Sequence, residues 1–271
     1  MTGNASALSV QRTDRKNWLR DATGNLMSSN AAPSGSLDQE KYKEMMYSAA
    51  RDASQVALRF DLARFFAKTV TAAGEELHVL GYIVGPDRAA GHSPFGNGSD
   101  ETVAVSILLQ IAAQLVSAST DLFHDGRSYA AAALLRQLVE VEYLAWAFET
   151  KNGEAERWLR SNRRERESFF TPAKLRKAAA GKFRTQDYGY HCELGGHPVP
   201  GSRLLLGRSP ETSQLLLSDL LGHAGRIWEH FAGWAKDNPN GTPILDRTEQ
   251  LRERFSAWKV GDRLAGLPPP P

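Results

Sequence analysis

Cysteine is nearly absent: Cys192 is the single one in 271 residues. That excludes an intramolecular disulfide and a zinc centre built on several thiolates, and it fits a reducing compartment, so cytoplasmic localisation is expected. Charge of one sign is also missing, since 33 Lys and Arg face 31 Asp and Glu for a net +2. Whole-molecule steering toward nucleic acid or an anionic surface is therefore not implied, and any basic patch must be local. Long apolar runs are missing too. Those around Ile107 and Leu134 are interrupted by Gln110, Gln114, Arg136 and Glu140, short of the ~18 to 20 residues that a membrane span needs, so no membrane contact is expected. Residues 1–36 lack a basic stretch followed by an apolar core, and no secretory signal is expected. No glycine-rich phosphate loop, Gly-x-Ser-x-Gly or His-Glu-x-x-His occurs, and no cofactor is expected. Strand-like alternation and internal repeats are absent as well.

What is present is helical periodicity. A hydrophobic content of 41% sustains a substantial core, and the expected organisation is a mobile arm (1–35), one helical domain (36–260) and a Pro-rich tail (261–271). The fold class read from the pattern is all-α, a helical bundle around a central antiparallel hairpin. That hairpin spans Val103 to Glu149, two helices joined at His124-Asp125-Gly126, with Gly126 suited to a C-terminal cap and Ser128 to the next N-cap. The second helix is apolar on nearly every side, as expected for a buried one. An amphipathic zone precedes it, from a capping box at Ser36 and Gln39 to about Ile83, with a break expected near Asp61 or Gly74. Residues 87–98 read as a loop. Thr171-Pro172, Ser209-Pro210 and Thr242-Pro243 each start a further helix.

Three polar features stand out. Arg136 and Glu140 lie four residues apart in the apolar helix and share a face. Flanked by buried residues, they read either as a lock tying neighbouring helices together or as one wall of a ligand or active site. Second, His191 and His197 bracket Gly195-Gly196, with Tyr190 and Arg184 nearby. An imidazole serves as acid or base in phosphodiester cleavage where an arginine stabilises charge on phosphate. The alternative is that His197-Pro198 closes a turn and His191 is an exposed helix residue. Metal ligation by His191, Cys192, Glu193 and His197 matches no established ligand spacing, and His223 and His230, seven apart, read as neighbours on a helix flank. Third, Arg157, Arg160, Arg163, Arg164, Lys177 and Arg184 form a local basic segment interleaved with aromatics. Such a segment grips phosphate and stacks bases, or is a solvated face whose charges pair with Glu154, Glu156, Glu165 and Glu167.

Arg136-x-x-x-Glu140 in an apolar helix, a charged helix around Trp158, then Tyr190 and His197-Pro198 resemble a bacterial helical family of unknown function over about 103–206. The same residues are similar to the wider HEPN superfamily, whose members include metal-independent endoribonucleases of toxin and phage-defence systems. That resemblance implies RNA as partner, a homodimer with a composite site around Arg-x4-6-His, His197 or His191 as acid/base, and Arg136 or Arg184 on the phosphate. Arg184 to His191 fits the outer limit of the spacing. Between Tyr190 and His197 the chain carries Glu193-Leu194-Gly195-Gly196, where the family has a small polar residue and an apolar one. Arg136 and Glu140 are expected to meet Tyr190 and His197 in one buried polar site. The alternative is a non-catalytic helical binding or scaffold module in which these residues are structural.

Overall fold

The computed structural model describes residues 39–83, 99–183, 185–207 and 209–265. The expected arm, the Ser36 cap, the loop at 87–98, Arg184 and the end of the Pro-rich tail lie outside the described residues. Within them the chain forms eleven α-helices and no strand.

Helices α1 (Gln39–Arg51) and α2 (Ala53–Ile83) form the amphipathic zone. They part at Asp52, whose carboxylate accepts from the Ser54 hydroxyl at 2.6 Å and the Ser54 amide at 3.0 Å, the satisfaction of free N–H groups that starts a helix. The expected breaks at Asp61 and Gly74 do not occur. Gly74 is instead a point of close approach, where a Cβ would stand 2.9 Å from Gln110 Cγ and 3.3 Å from the Ser106 carbonyl.

Helix α3 (Asp100–His124) begins at Ser99, whose side chain accepts from the Thr102 amide. It ends before Gly126, whose φ of 70° turns the chain back into α4 (Ser128–Thr150). By length and composition alone α3 is apolar enough to cross a membrane, a run the two glutamines do not break as expected. Much of that surface, including Val103, Leu108, Leu109 and Val116, is buried inside the bundle. Ser128 does not cap α4. It is the first helical residue, and its hydroxyl meets that of Ser213 at 2.7 Å.

Helix α10 (Pro210–Lys236) lies beside α4 and runs parallel to it, as its polar pairings require: Ser128 with Ser213, Glu142 with His223, Glu149 with His230. The last helix, α11 (Thr242–Gly261), packs on α2 and α10. The shared core holds Phe66, Leu77, Leu108, Leu135, Leu217 and Trp228, all essentially inaccessible, each contributing about 1.5 to 3 kcal/mol.

The bundle is locked at one point by a charge pair that sequence periodicity did not flag. Arg59 and Asp262 are both fully buried, bonded Nε to Oδ2 at 2.6 Å and Nη2 to Oδ1 at 2.7 Å. Arg59 also donates to Gln214 Oε1 and the Ala49 carbonyl, and Asp262 accepts from Trp258 Nε1 and the Leu264 amide. Four helices meet there.

Short helices follow α4 in the chain: α5 (Glu154–Arg160) packs mainly on α3, α6 (Arg163–Phe169) on α7, and α7 (Pro172–Ala178) and α8 (Thr185–His191) cover the outer side of α4. A π-helical turn (Cys192–Gly196), a 3-10 turn (Pro200–Ser202) and α9 (Arg203–Leu206) follow. Val139, Tyr143, Trp146, Phe170 and Leu175 form a second apolar cluster under this cover, with Phe183 and Tyr188 packed against it.

Candidate functional site

The π-helical turn is seated by its glycines. A Cβ on Gly195 would fall 2.5 Å from the backbone of Ala132 and Ala133, and one on Gly196 would fall 2.4 Å from Arg136 Cδ. Only glycine permits this approach to α4, and it orients two polar clusters on different faces of that helix.

The first cluster is Arg136, Glu140 and Tyr188. Arg136 Nη2 lies 2.7 Å from Glu140 Oε1 and donates to the Tyr188 hydroxyl at 3.0 Å, which donates in turn to Glu140 Oε1 at 2.9 Å. The tyrosine that meets the pair is Tyr188, not the expected Tyr190. Helix α8 turns Tyr190 inward instead, where burial and then the Asp219 charge raise its phenol pKa. The pair is also not sealed, because the side chains of Arg136 and Glu140 are 26% and 33% exposed. The outer side of α4 is covered only by short helices, which leave this edge open. Partial burial disfavours the Arg136 charge, but Cys192, Tyr188 and Glu140 together more than restore it. Its Nε is buried without a hydrogen-bond partner among the described residues. Burial and the Glu140 charge push the Tyr188 phenol up to about 12. The Arg176 guanidinium stacks on the Tyr188 ring at 4.6 Å.

His197 follows the turn and is exposed. No hydrogen bond or ion pair joins its side chain to Arg136 or Glu140 among the described residues, so the expected four-residue buried site does not form. Three arginines of the basic segment are paired with acids: Arg157 with Glu154, Arg160 with Glu156 and with Asp100 of α3, and Arg163 with Glu167. Arg157 also lies over the Phe169 ring at 3.7 Å. Arg164 and Lys177 are exposed with no ion-pair partner among the described residues.

The second cluster was not foreseen. His191 is not an exposed helix residue; it is 3% accessible and faces α10. Its Nε2 lies 3.2 Å from His223 Nε2, and the Asp219 carboxylate stands beside both, 3.5 Å from His191 Nε2 and 3.6 Å from His223 Nε2. On its other side His223 Nδ1 meets Glu142 Oε2 at 2.5 Å. An ionised carboxylate only accepts, so the 2.5 Å contact with Glu142 places a proton on His223 Nδ1, although Arg226 Nη2, also a donor, lies 2.8 Å from the same nitrogen. Arg226 Nε donates to Glu142 Oε1 at 2.8 Å. Glu142 is thus the sealed charge of α4, 3% accessible. Burial alone would raise its pKa, but bonding and attraction to His223 and Arg226 outweigh it and hold the carboxyl at about 2. Burial pushes His191 down to about 4, with Asp219 opposing only in part.

His230 repeats the arrangement two turns along, its Nδ1 2.5 Å from Glu149 Oε2. Neither His223 nor His230 is a flank residue; both are buried. The signal available in the sequence was the matched spacing, with Glu142 and Glu149 seven apart on one helix and His223 and His230 seven apart on another.

Comparisons with protein-family models, with curated proteins and with solved structures each find no match.

Proposed function

We propose that the chain is an HEPN-like, RNA-binding helical protein whose ligand face is built from Arg136, Tyr188, Arg176 and the neighbouring His197. The observation that carries this reading is the stack of Arg176 on the Tyr188 ring beside the half-open Arg136. An arginine on an aromatic ring, with a second arginine hydrogen-bonded to its hydroxyl, offers a phosphate two cations and a base a stacking surface. Lys177, next to Arg176 on α7, is exposed and adds positive charge. Cleavage at this face falls to His197 as acid/base, with Arg136 on the phosphate; His191 faces the interior and is not available there. A toxin or defence role, and a second copy of the chain completing the site, belong to the same proposal.

A specific observation favours a second reading, a non-catalytic helical module. Glu140 balances Arg136, and local acids balance Arg157, Arg160 and Arg163, leaving less free positive charge than the sequence suggests.

The test is binding and cleavage of a mixed single-stranded RNA pool in chelator, with wild type, Arg176→Ala and His197→Ala. Binding that weakens with salt and with Arg176→Ala supports the RNA reading, and cleavage lost in a normally melting His197→Ala supports catalysis. No binding at low salt by any of the proteins sinks both and leaves the module.

A further inference from the structure

We propose that His191, His223 and Asp219 bind one divalent transition-metal ion, with an open coordination position on the Asp219 side. This goes beyond the RNA-binding reading and does not rest on it, because the residues involved are different and lie on α8 and α10.

The distances carry the proposal. Two ligands on a tetrahedral zinc-like ion, each about 2.0 to 2.1 Å from it, stand ~3.3 to 3.4 Å apart. Here the two Nε2 atoms are 3.2 Å apart, and Asp219 stands 3.5 Å from His191 through Oδ2 and 3.6 Å from His223 through Oδ1, so that one ligand atom from each residue falls within 4.8 Å of the other two.

The second support is the state of the histidines. Two bare imidazole nitrogens cannot face each other at 3.2 Å, since both lone pairs would occupy the same space; the contact requires a proton or a metal ion between them. With Nδ1 hydrogen-bonded to the Glu142 carboxylate, His223 has Nε2 as its coordinating atom, the outer carboxylate arrangement that fixes histidine ligands. Arg226 holds Glu142 from its other oxygen. Metal binding would release the proton shared between the Nε2 atoms and take its place.

The third support is how the ligands are mounted. Asp219 and His223 are four residues apart on α10 and so share a face, while His191 closes the site from the end of α8. The imidazoles are buried, but the Asp219 side chain is 37% exposed, so the fourth position opens to solvent, as in zinc sites that keep one for water or substrate. Two imidazoles and one carboxylate suit zinc, cobalt, nickel or iron rather than calcium or magnesium, which prefer oxygen. Cys192, although adjacent in sequence, is not part of the set.

The full-length protein, stripped with chelator and dialysed, is titrated with Co²⁺ and then Zn²⁺. The expected result is a visible absorption band of four-coordinate Co²⁺ saturating at one ion per chain, bleached by Zn²⁺, and a melting temperature that rises with metal concentration. Asp219→Asn, which alters a half-exposed surface residue, weakens binding by at least ~10-fold, by analogy with even outer-carboxylate changes. His191→Gln abolishes it, while His197→Ala and Cys192→Ser leave it unchanged. The proposal is overturned if wild type retains no more metal than Asp219→Asn, or if His197→Ala or Cys192→Ser removes binding. It is also overturned if the imidazole nitrogen resonances of His191 and His223 stay unchanged on adding Zn²⁺, which leaves a shared proton as the whole account. RNA binding is measured in chelator, so failure of either proposal is read separately.

Discussion

Removing the Asp262 carboxylate should be among the most damaging single changes available in this bundle. Its two oxygens take four hydrogen bonds, two from Arg59, one from Trp258 Nε1 and one from the Leu264 amide. Both charged side chains are 0% exposed. Asp262→Ala leaves a guanidinium buried against Gln214 and the Ala49 carbonyl with no counter-charge, a loss of about 3 to 5 kcal/mol. The exposed pair Arg252 and Glu229 is 42% and 52% accessible, and Arg252→Ala should cost only about 0.2 to 1 kcal/mol. Urea unfolding followed by helical circular dichroism would compare the two, with Arg59→Met and the double variant completing a cycle. The double variant should lose clearly less than the sum of the singles, because the unpaired charge disappears with its partner. It should not recover fully, since Gln214, Ala49 and Trp258 each lose a bond worth about 1 kcal/mol. A loss below about 1 kcal/mol for Asp262→Ala, or simple additivity in the cycle, would refute the reasoning.

Arg136→Ala should cost roughly 1 kcal/mol, well under Asp262→Ala, because its ion pair is partly open to water; the reverse order in urea midpoints would contradict this. Gly195→Ala forces a methyl into the backbone of α4 and should destabilise by about 1 to 3 kcal/mol. Gly189→Ala, with nothing within 4 Å of its added methyl, should be neutral or stabilising by up to ~1 kcal/mol, and equal melting temperatures would argue against the packing of the π-helical turn. Burial holds His230 below its ordinary 6.5, Lys182 adds to this, and Glu149 and Glu142 oppose it. The unfolded chain then binds the proton more readily, so this stability is full above 6.5 and is lost as pH falls below that value. The stability gap between wild type and His230→Asn should therefore shrink between pH 8 and pH 5.5, and a constant gap would exclude the effect.

Helical period, turn residues and proline positions determined the all-α class, the α3–α4 hairpin and the starts of α7, α10 and α11, because these depend on local backbone preferences and on one apolar face per helix. Sequence also singled out Arg136 and Glu140, whose contact needs only the four-residue spacing of one helix. Local pattern could not say which side of α4 would be thinly covered, so a pair expected to be sealed is open, and Glu142, two residues further and about 200° around the helix, is the sealed charge. The choice of Tyr188 over Tyr190 was decided by how the two glycines seat α8 and the π-helical turn against α4. Arg59 with Asp262 is 203 residues apart, and His191 with His223 is 32. Such pairs leave no periodic trace, because they form only when separate helices are brought to one level of the bundle. That is why the Arg59–Asp262 lock and the cluster of His191, Asp219 and His223 belong to the tertiary structure.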